Sequence, residues 1–368
     1  MLSQAFRVWL KQPVIISQQS ATAGAQVSLD YLTGSSLQGL LASRLYAQLP
    51  AEDAWLIFHS GQVRFSDALP FEEGMLSYPV PMALHSLKGE KSAQDGSYIS
   101  VQLYNVTLAQ PEEFNGRQPV QLRHGYMSLS GKRTLPAKEH TLKTAIDAQT
   151  QRVAESQLFG YESLCAEQCF LFTLHAEDSV DTSLWKKIVA SLTGPARLGR
   201  SRSAQFGAVN IEPIDPPAES TVESNQHNLT LWLISDLWLL RKGQTTFDPD
   251  PALLGLPDGT RWVSELSHLR TRGYSLYNAY RRHYDLERQV ISRGSVLTFE
   301  LPTVPTEAYL LSLQQRSFGA GVEQGLGRVL VNPRLLSKKH PIFREPSKVK
   351  SPKAESILAP NTLLLRAL

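Results

Sequence analysis

The spacing of apolar residues predicts both strands and helices in the first half of the chain. Alternation favours a strand over Phe6–Ser17, and apolar residues three or four apart favour a helix that opens at Tyr31 and runs to about Leu49, capped by Ser35 or Ser36. Further elements are expected as strands at Trp55–Phe58, Gln62–Phe65, Tyr98–Leu108, Gln121–Ser130 and Cys169–His175, a helix at Ser183–Leu192, and a projecting loop or hairpin at Ala137–Tyr161. This order is typical of an α+β ferredoxin-like sandwich with insertions.

A glycine-punctuated segment occurs twice in the chain. Leu198–Pro213 and Phe318–Pro333 align without gaps, and each runs from a glycine-rich loop into an alternating strand that stops at proline. The aligned pairs are Gly199 with Gly319, Gly207 with Gly327, Val209 with Val329 and Pro213 with Pro333. Glycine permits close backbone approach, so the pattern predicts one supersecondary unit used twice; a chance match of two glycine-rich hairpins is the alternative.

The chain divides at Glu212–Gln226, a stretch rich in proline, serine and acidic residues. We expect a first domain at residues 1–212 with a projecting insertion at about 131–165, a linker at 213–227, a second domain at 228–334 and a basic extension at 335–368. The second domain is predicted to open with a strand at Asn228–Leu240 and to end with one at Val329–Val331.

Composition describes an ordinary globular protein, because 42% of the residues are hydrophobic and 19% are charged. The two cysteines, Cys165 and Cys169, form neither a disulfide framework nor a zinc motif. Arg7, Lys11 and Pro13 interrupt the apolar N-terminus, so neither a signal peptide nor a membrane span is predicted. We therefore expect a cytoplasmic protein.

Positive charge is concentrated in two stretches, although the formal net charge is only +3. Lys186–Arg202 contains five basic residues and no acid, and Arg261–Arg293 contains seven arginines interleaved with four tyrosines. Guanidinium groups pair with phosphates and aromatic rings stack on unpaired bases, so this pattern favours a single-stranded nucleic acid. A solvated helix face whose tyrosines pack inward is the alternative interpretation.

Several stretches also carry a resemblance to a known family. Leu32-Thr-Gly-Ser-Ser-Leu-Gln-Gly is similar to an Ile-Pro-Gly-Ser-Ser-Leu-Lys-Gly signature, from which it departs at Thr33 and Gln38. Val63-Arg-Phe-Ser-Asp-Ala-Leu-Pro is similar to a Ser-Asp-x-x-Pro stretch, and residues 140–161 are similar to an Ile-Asp…Thr…Ala-x-x-x-x-Leu-Phe insertion. Together with the glycine-rich loops, these motifs resemble the RAMP superfamily, the repeat-associated subunits of CRISPR RNA-guided effector complexes.

The resemblance implies two tandem ferredoxin-like (RRM-like, RAMP) domains. The overall pattern looks most like the larger subunit that binds the 5′ tag of the guide RNA in a type III effector, of the III-D kind. Such a subunit is an RNA-binding structural protein of antiviral defence. Its implied partners are the CRISPR guide RNA (crRNA), the backbone RAMP subunits and the large polymerase-like subunit of the ribonucleoprotein.

The candidate RNA-binding residues outside the insertion follow from the need to hold a phosphate backbone. Glycine-loop amides, arginines and a helix N-terminus are suited to that role. The candidates in the insertion are implied by the resemblance, because this loop contacts the guide strand in the family. The candidates are Gly34, Ser35 and Ser36 at the first helix; Lys143, Thr144 and Arg152 in the insertion; Arg197, Gly199, Arg200 and Arg202 at the first glycine-rich segment; Arg270, Arg272, Arg281 and Arg282; and Gly319, Gly321 and Arg328 at the second. An ordinary helix cap and a solvated loop are the alternatives for the first two groups.

Two other functions stay open at this point. An endoribonuclease of the same superfamily would use a histidine such as His140 to process repeat RNA, or a loop aspartate such as Asp30 or Asp147 with a metal to cut target RNA. None of these sits in a recognisable catalytic pair, and no Walker loop, triad or Cys/His cluster occurs, so no catalytic residue, metal or cofactor is assigned. A protein scaffold without RNA contact is the second alternative.

Overall fold

The structure is a computed structural model with a mixed α/β fold of several antiparallel sheets and few helices. It describes residues 1–18, 25–90, 97–146, 153–202, 205–217, 222–223, 227–278 and 280–343; for residues 25–26, 143–146 and 153–159 it describes the backbone alone.

The helices are α1 (Gly34–Leu45), α2 (Ala51–Phe58), α3 (Thr182–Leu192) and α4 (Glu307–Gln315). The strands of the first half are β1 (Leu2–Leu10), β2 (Ala25–Gln26), β3 (Val63–Phe65), β4 (Leu69–Glu72), β5 (Met75–Pro79), β6 (Leu84–Leu87), β7 (Tyr104–Asn105), β8 (Pro119–Gln121), β9 (Tyr126–Ser128), β10 (Arg133–Thr134), β11 (Lys138–Ile146), β12 (Val153–Leu164), β13 (Cys169–Ala176), β14 (Gly194–Arg197) and β15 (Ala208–Ile214). Those of the second half are β16 (Asn228–Leu233), β17 (Leu239–Arg241), β18 (Gln244–Thr246), β19 (Arg261–Trp262), β20 (Thr271–Tyr274), β21 (Tyr277–Asn278), β22 (His283–Tyr284), β23 (Arg288–Ile291), β24 (Val296–Glu300) and β25 (Val329–Val331).

The first half is organised around β1, which lies between β13 and β15 and pairs antiparallel with both. β3 pairs with the other edge of β13, so the sheet contains the order β15, β1, β13, β3. β14 extends it beyond β15, and β4, which also pairs with β13, continues it through β5 and β9 to β10. Inward residues of β1 and β13, such as Phe6 and Phe172, stack at 4.9 Å between ring centroids. They share one buried cluster with Leu41 of α1 and Ile188 of α3, so both helices cover the same side of the sheet.

The second half repeats this strand order with different sequence. β16 lies between β24 and β25 and pairs antiparallel with both, and β19 pairs with the outer edge of β24. Its own core includes Leu231, Phe299 and Leu310, with Leu310 contributed by α4. In each half, therefore, the first strand is central and the last strand follows a glycine-rich loop.

The two glycine-rich loops make matching backbone contacts. In the first glycine loop (residues 198–207), Leu198 N donates to Gly207 O at 2.9 Å, and Gly207 N donates to Pro13 O at 2.8 Å. In the second glycine loop (residues 318–327), Phe318 N donates to Gly327 O at 2.9 Å, and Gly327 N donates to Asp236 O at 2.7 Å. Each loop is thus clamped to the segment that follows the central strand of its own half.

Close approach explains the first glycine of each loop. Gly199 and Gly319 have φ values of +78° and +76°. A Cβ on Gly199 would lie 2.2 Å from Ile15 O, and one on Gly319 would lie 2.4 Å from Trp238 O. These glycines are required by packing, whatever ligand the loops meet.

Several predicted elements are corrected by the structure. The first strand ends at Leu10, three residues before Pro13, which has no N–H for the ladder. Trp55–Phe58 is the end of helix α2 rather than a strand. Tyr98–Leu108 is largely irregular, because its backbone bonds to separate segments; Asn105 N, for example, donates to Lys339 O at 2.8 Å.

Other boundaries also move. Gln121–Ser130 contains only the end of β8 and the short β9, and Asn228–Leu240 divides into β16 and the beginning of β17. The described parts of Ala137–Tyr161 lie on β11 and β12, which pair antiparallel as expected for the hairpin form. The strand at Cys169–His175 and the helix at Ser183–Leu192 are confirmed to within a residue at each end.

Two glycines of α1 give a matched test of the packing between the halves. A Cβ on Gly34 would lie 2.2 Å from Phe65 O and 2.5 Å from Gln324 O, whereas a Cβ on Gly39 meets nothing within 4 Å. We expect Gly34→Ala to lower the free energy of unfolding by about 1–3 kcal/mol. Gly39→Ala should raise it by about 0.5–1 kcal/mol because alanine is the better helix former. Urea denaturation measures both, and equal midpoints for the two variants would contradict the tight approach.

Candidate nucleic-acid interface

A groove with a volume of about 1630 Å³ runs between the two halves. Four segments that are distant in sequence contribute to its lining: the groove-facing side of α1, residues 198–202 of the first glycine loop, part of the second glycine loop, and part of the stretch from Arg272 to Arg293, here called the Arg/Tyr segment. The structure thereby brings together three of the regions in which the sequence placed RNA-binding candidates.

The residue that caps the start of α1 differs from the expected Ser35 or Ser36. Thr33 is the N-cap, and its Oγ1 accepts from Ser36 N at 3.2 Å and from Ser35 Oγ at 3.0 Å. Gly34 N donates to the carboxylate of Asp67 at 2.8 Å. The Gly34 amide is therefore already used within the protein. Ser35 and Ser36 line the groove, and their hydroxyl groups also contact Thr33 Oγ1.

The first glycine loop presents Arg200 and Arg202 to the groove. Arg200 Nη1 lies 3.4 Å from the hydroxyl oxygen of Tyr284, so the loop touches the Arg/Tyr segment across the groove. Arg197 is not one of the described residues that line the groove. Its guanidinium donates to Phe206 O at 3.2 Å and to Arg202 O, which holds the loop closed.

The Arg/Tyr segment is built from two short antiparallel pairs, β20 with β23 and β21 with β22. The expected alternative of a helix face is therefore wrong. Tyr277 and Tyr284 face each other across the outer pair, with ring centroids 5.1 Å apart, and both line the groove. Tyr280 at the tip is 97% exposed. The segment thus offers aromatic rings to the groove from its strands and its turn.

The four candidate arginines in and beside this segment divide into three groups. Arg281 lines the groove with a half-exposed side chain, 3.3 Å from Asp285. Arg270 and Arg282 are exposed but lie outside the groove lining that the structure describes, and Arg270 donates to Gln121. Arg272 lines the groove, but its guanidinium is committed to other groups of the protein.

The floor of the groove is a buried cluster of charged groups, here called the charge cluster: Asp67, Asp236, Arg272 and Arg293, with Tyr31. Arg293 Nη2 donates to Asp67 Oδ2 at 2.8 Å, and Arg293 N donates to Asp236 Oδ1 at 2.9 Å. Arg272 Nε donates to Asp236 Oδ2 at 3.0 Å, and its Nη2 donates to the Tyr31 hydroxyl at 2.8 Å. The guanidinium carbon of Arg293 lies 3.3 Å from the ring centroid of Tyr31.

Burial and pairing act in opposite directions on the two carboxylates. Burial alone would raise the pKa of Asp236, but Arg293 and Arg272 hold it below the ordinary value. Burial raises the pKa of Asp67, against the opposing effects of Arg293 and the Gly34 amide. Asp236 is therefore the carboxylate that the two arginines hold ionised, and it ties them to one point on the groove floor.

The second glycine loop packs against the first half of the chain. A Cβ on Gly325 would lie 2.4 Å from Phe65 O, and Arg288 Nη1 donates to Gln324 Oε1 at 2.8 Å. Gly319, Gly321 and Arg328 lie outside the groove lining among the described residues. Arg328 is part of the backbone pairing, since Ile234 N donates to Arg328 O at 2.9 Å.

The candidates of the insertion lie on the hairpin or outside the described residues. His140, Lys143 and Thr144 are on β11, and only His140 has a described side chain. It is exposed, with Nε2 3.8 Å from Glu162 Oε2. Asp147 and Arg152 lie outside the described residues.

Asp30 is engaged by the protein itself, because it accepts a 2.8 Å hydrogen bond from the buried hydroxyl of Tyr126. Within the described part of the chain, no three His, Cys, Asp or Glu side chains are grouped as metal ligands. Nor does any helix in that part have the length and apolar character needed to cross a membrane.

Comparison with known proteins gives likeness only at the level of solved structures. No protein-family model matches the chain, and no curated protein matches it significantly. It is similar to a chain of the type III-B Cmr-beta complex bound to cognate target RNA and AMPPnP, with 14% identity, 80% of this chain and 86% of that chain covered, and a TM-score of 0.48.

Two further solved structures are similar over most of the chain. A chain of the Csm3-Csm4 subcomplex of the type III-A CRISPR-Cas interference complex has 12% identity, coverage of 81% of this chain and 94% of that chain, and a TM-score of 0.39. A Cas6 product complex has 13% identity, coverage of 90% and 99%, and a TM-score of 0.36. At such identities and TM-scores, the role of this chain has to be argued from its own residues.

The charge cluster gives a prediction for stability. Arg293→Ala would leave Asp67 and Asp236 buried without their shared cation, so we expect the free energy of unfolding to fall by about 3–5 kcal/mol. Arg261→Ala is the matched control, because it breaks a solvent-exposed pair with Glu300 and should change stability little. Denaturation of both variants at neutral pH tests this, and similar unfolding free energies would contradict the structural role of Arg293.

Proposed function

We propose that this protein is an RNA-binding structural subunit of a type III CRISPR effector complex that holds the 5′ tag of the guide RNA. The observation that carries the proposal is the convergence of the α1 N-terminus, the first glycine loop and the Arg/Tyr segment on one groove. The motif resemblance to tag-binding RAMP subunits supplies the identity of the RNA.

The chemistry of the groove suits a single strand. Arg200, Arg202 and Arg281 provide cationic donors for phosphates, and Ser35 and Ser36 add hydroxyl groups. Tyrosine rings on the opposite wall can stack on bases that a duplex would keep paired. These contacts hold a backbone with little demand on sequence, as a subunit that carries many different guides requires.

We further propose that each half is a ferredoxin-like RAMP domain, with boundaries at residues 1–212 and 228–334. The repeated strand order and the matching clamps of the two glycine loops support this division. The halves differ on the helical side, because the described residues between β16 and β24 contain no α-helix and the Arg/Tyr segment occupies that part of the chain. In this proposal Gly34, Gly199, Gly319 and Gly321 shape the fold, and Arg200, Arg202 and Arg281 contact RNA.

The proposed partners are the guide RNA, the backbone RAMP subunits and the large polymerase-like subunit, in the cytoplasm. A structural role is favoured over metal-dependent cleavage by the surroundings of Asp30. Its carboxylate accepts a hydrogen bond from the buried hydroxyl of Tyr126.

The arginines of the first glycine loop give the direct test. Purified protein is titrated with end-labelled CRISPR repeat RNA across a salt series on native gels. Arg200→Ala with Arg202→Ala should weaken binding and reduce the slope of log affinity against log salt by roughly 1–2, because up to two phosphate contacts are lost. Lys186→Ala with Lys187→Ala is the matched control, since both lysines are exposed on α3 outside the groove lining.

The outcomes separate the candidate functions. An unchanged salt slope in the arginine variant would mean that the RNA binds elsewhere on the protein. Equal losses of affinity in the arginine and lysine variants would mean that only the net charge of the protein matters. Denaturing gels run in parallel report cleavage; discrete metal-independent products would make the protein a processing nuclease. Absence of binding by the wild-type protein at every salt concentration would count against the proposed function.

A further inference from the structure

Three exposed aromatic side chains form a continuous surface at the end of α1. Tyr46 follows α1, Trp55 lies on α2, and His59 follows α2 by one residue. The rings of Trp55 and His59 are 5.5 Å apart between centroids at an angle of 31°, and those of Tyr46 and His59 are 6.0 Å apart at 85°. We call this surface the stacking shelf.

The shelf is fixed in place, although it is open to solvent. Tyr46 packs on the buried ring of Phe58 at 5.3 Å, and its hydroxyl lies 3.3 Å from His59 Nε2. Trp55 and His59 are four residues apart, so they lie on the same side of the helix end. Even so, the side chains of Tyr46 and Trp55 are 46% and 63% exposed. Adjacent exposed rings that contact one another in a continuous patch are typical of a contact surface.

The shelf is continuous with the groove. Tyr46, Phe58 and His59 line the groove, and Trp55 extends the surface outward from His59. Between Ser35 and Tyr46, the α1 residues that line the groove are Ser36, Gln38, Gly39, Leu40, Ala42 and Ser43. All of these side chains except the buried Leu40 are small or polar, and this side of the helix spans about 16 Å between the serines and Tyr46.

We propose that Tyr46, Trp55 and His59 stack an unpaired base of the RNA strand that occupies the groove. The proposal rests on the proposed function and adds a base-binding site to it. Every nucleobase has a face that can stack on such rings, so the contact tolerates any sequence. Glu52, which is exposed one turn before Trp55, disfavours phosphate at this end and leaves the backbone on the arginine side of the groove.

The charge distribution favours RNA over a protein partner as the occupant. The shelf opens onto the groove that also carries Arg200, Arg202 and Arg281, so a strand held by these arginines would meet the rings without leaving the groove. The polar edges of all three rings can remain hydrated beside a stacked base, which suits a site that is wet on one side.

The test combines a protein variant with an abasic scan of the RNA. Affinity of the full-length protein is measured for repeat RNA in which each base of the tag is removed in turn. We expect one position, or two adjacent ones, at which wild-type affinity falls roughly 5- to 100-fold. Trp55→Ala should show a similar loss on intact RNA and no further loss at that position, because both changes remove the same contact.

Two controls complete the design. Trp55→Phe keeps an aromatic face and should restore most of the affinity, and Phe247→Ala removes an exposed ring outside the groove lining and should leave affinity unchanged. Two results for the Trp55→Ala protein would contradict the stacking proposal: losses of affinity that add to those of the abasic RNA at every position, or wild-type affinity for intact RNA. If one of these outcomes is seen but the arginine variant loses salt-dependent binding, the stacking proposal is wrong and the proposed function stands. No RNA binding by the wild-type protein would overturn both.

Discussion

The ion pair between Arg293 and Asp67 joins the two halves of the protein at the floor of the groove. Its partners are 226 residues apart in sequence, and the same arginine bonds Asp236 through its backbone amide. Asp67 in turn accepts from the amide that begins α1. One buried cluster thus connects three elements: the start of α1, the residues that follow β16, and the Arg/Tyr segment. Because a charge buried without a partner is so costly, these elements keep their relative positions.

Around that point the internal repeat is used for two different purposes. Both glycine loops are clamped by equivalent hydrogen bonds to the segment after the central strand of their half. The first loop turns Arg200 and Arg202 toward the groove, whereas the second lies against Phe65 and the start of α1. One copy therefore supplies a surface for a ligand, and the other supplies the contact that holds the halves together. Glycine serves both uses, since each demands backbone approach at distances that a Cβ would prevent.

The local signals in the sequence located much of the candidate site. Gly34–Ser36, the first glycine loop and the arginines among tyrosines were each recognisable from residue type and spacing, and all three regions border the groove. The details were less predictable. Thr33 took the cap that was expected of Ser35 or Ser36, and Arg272 became part of the charge cluster. Residue type alone cannot distinguish an arginine that is available to a phosphate from one that is paired with a carboxylate distant in sequence.

The sequence by itself determined the repeat, the positions of the glycine loops, α3 and the strand before it, because each depends on spacing within a short window. Only the tertiary structure decided that Trp55 is helical and exposed, that Arg293 pairs with Asp67, and that the second glycine loop faces inward. These features depend on which surfaces meet after the chain has folded. No local pattern encodes such a meeting, since its energy comes from groups separated by a large part of the chain.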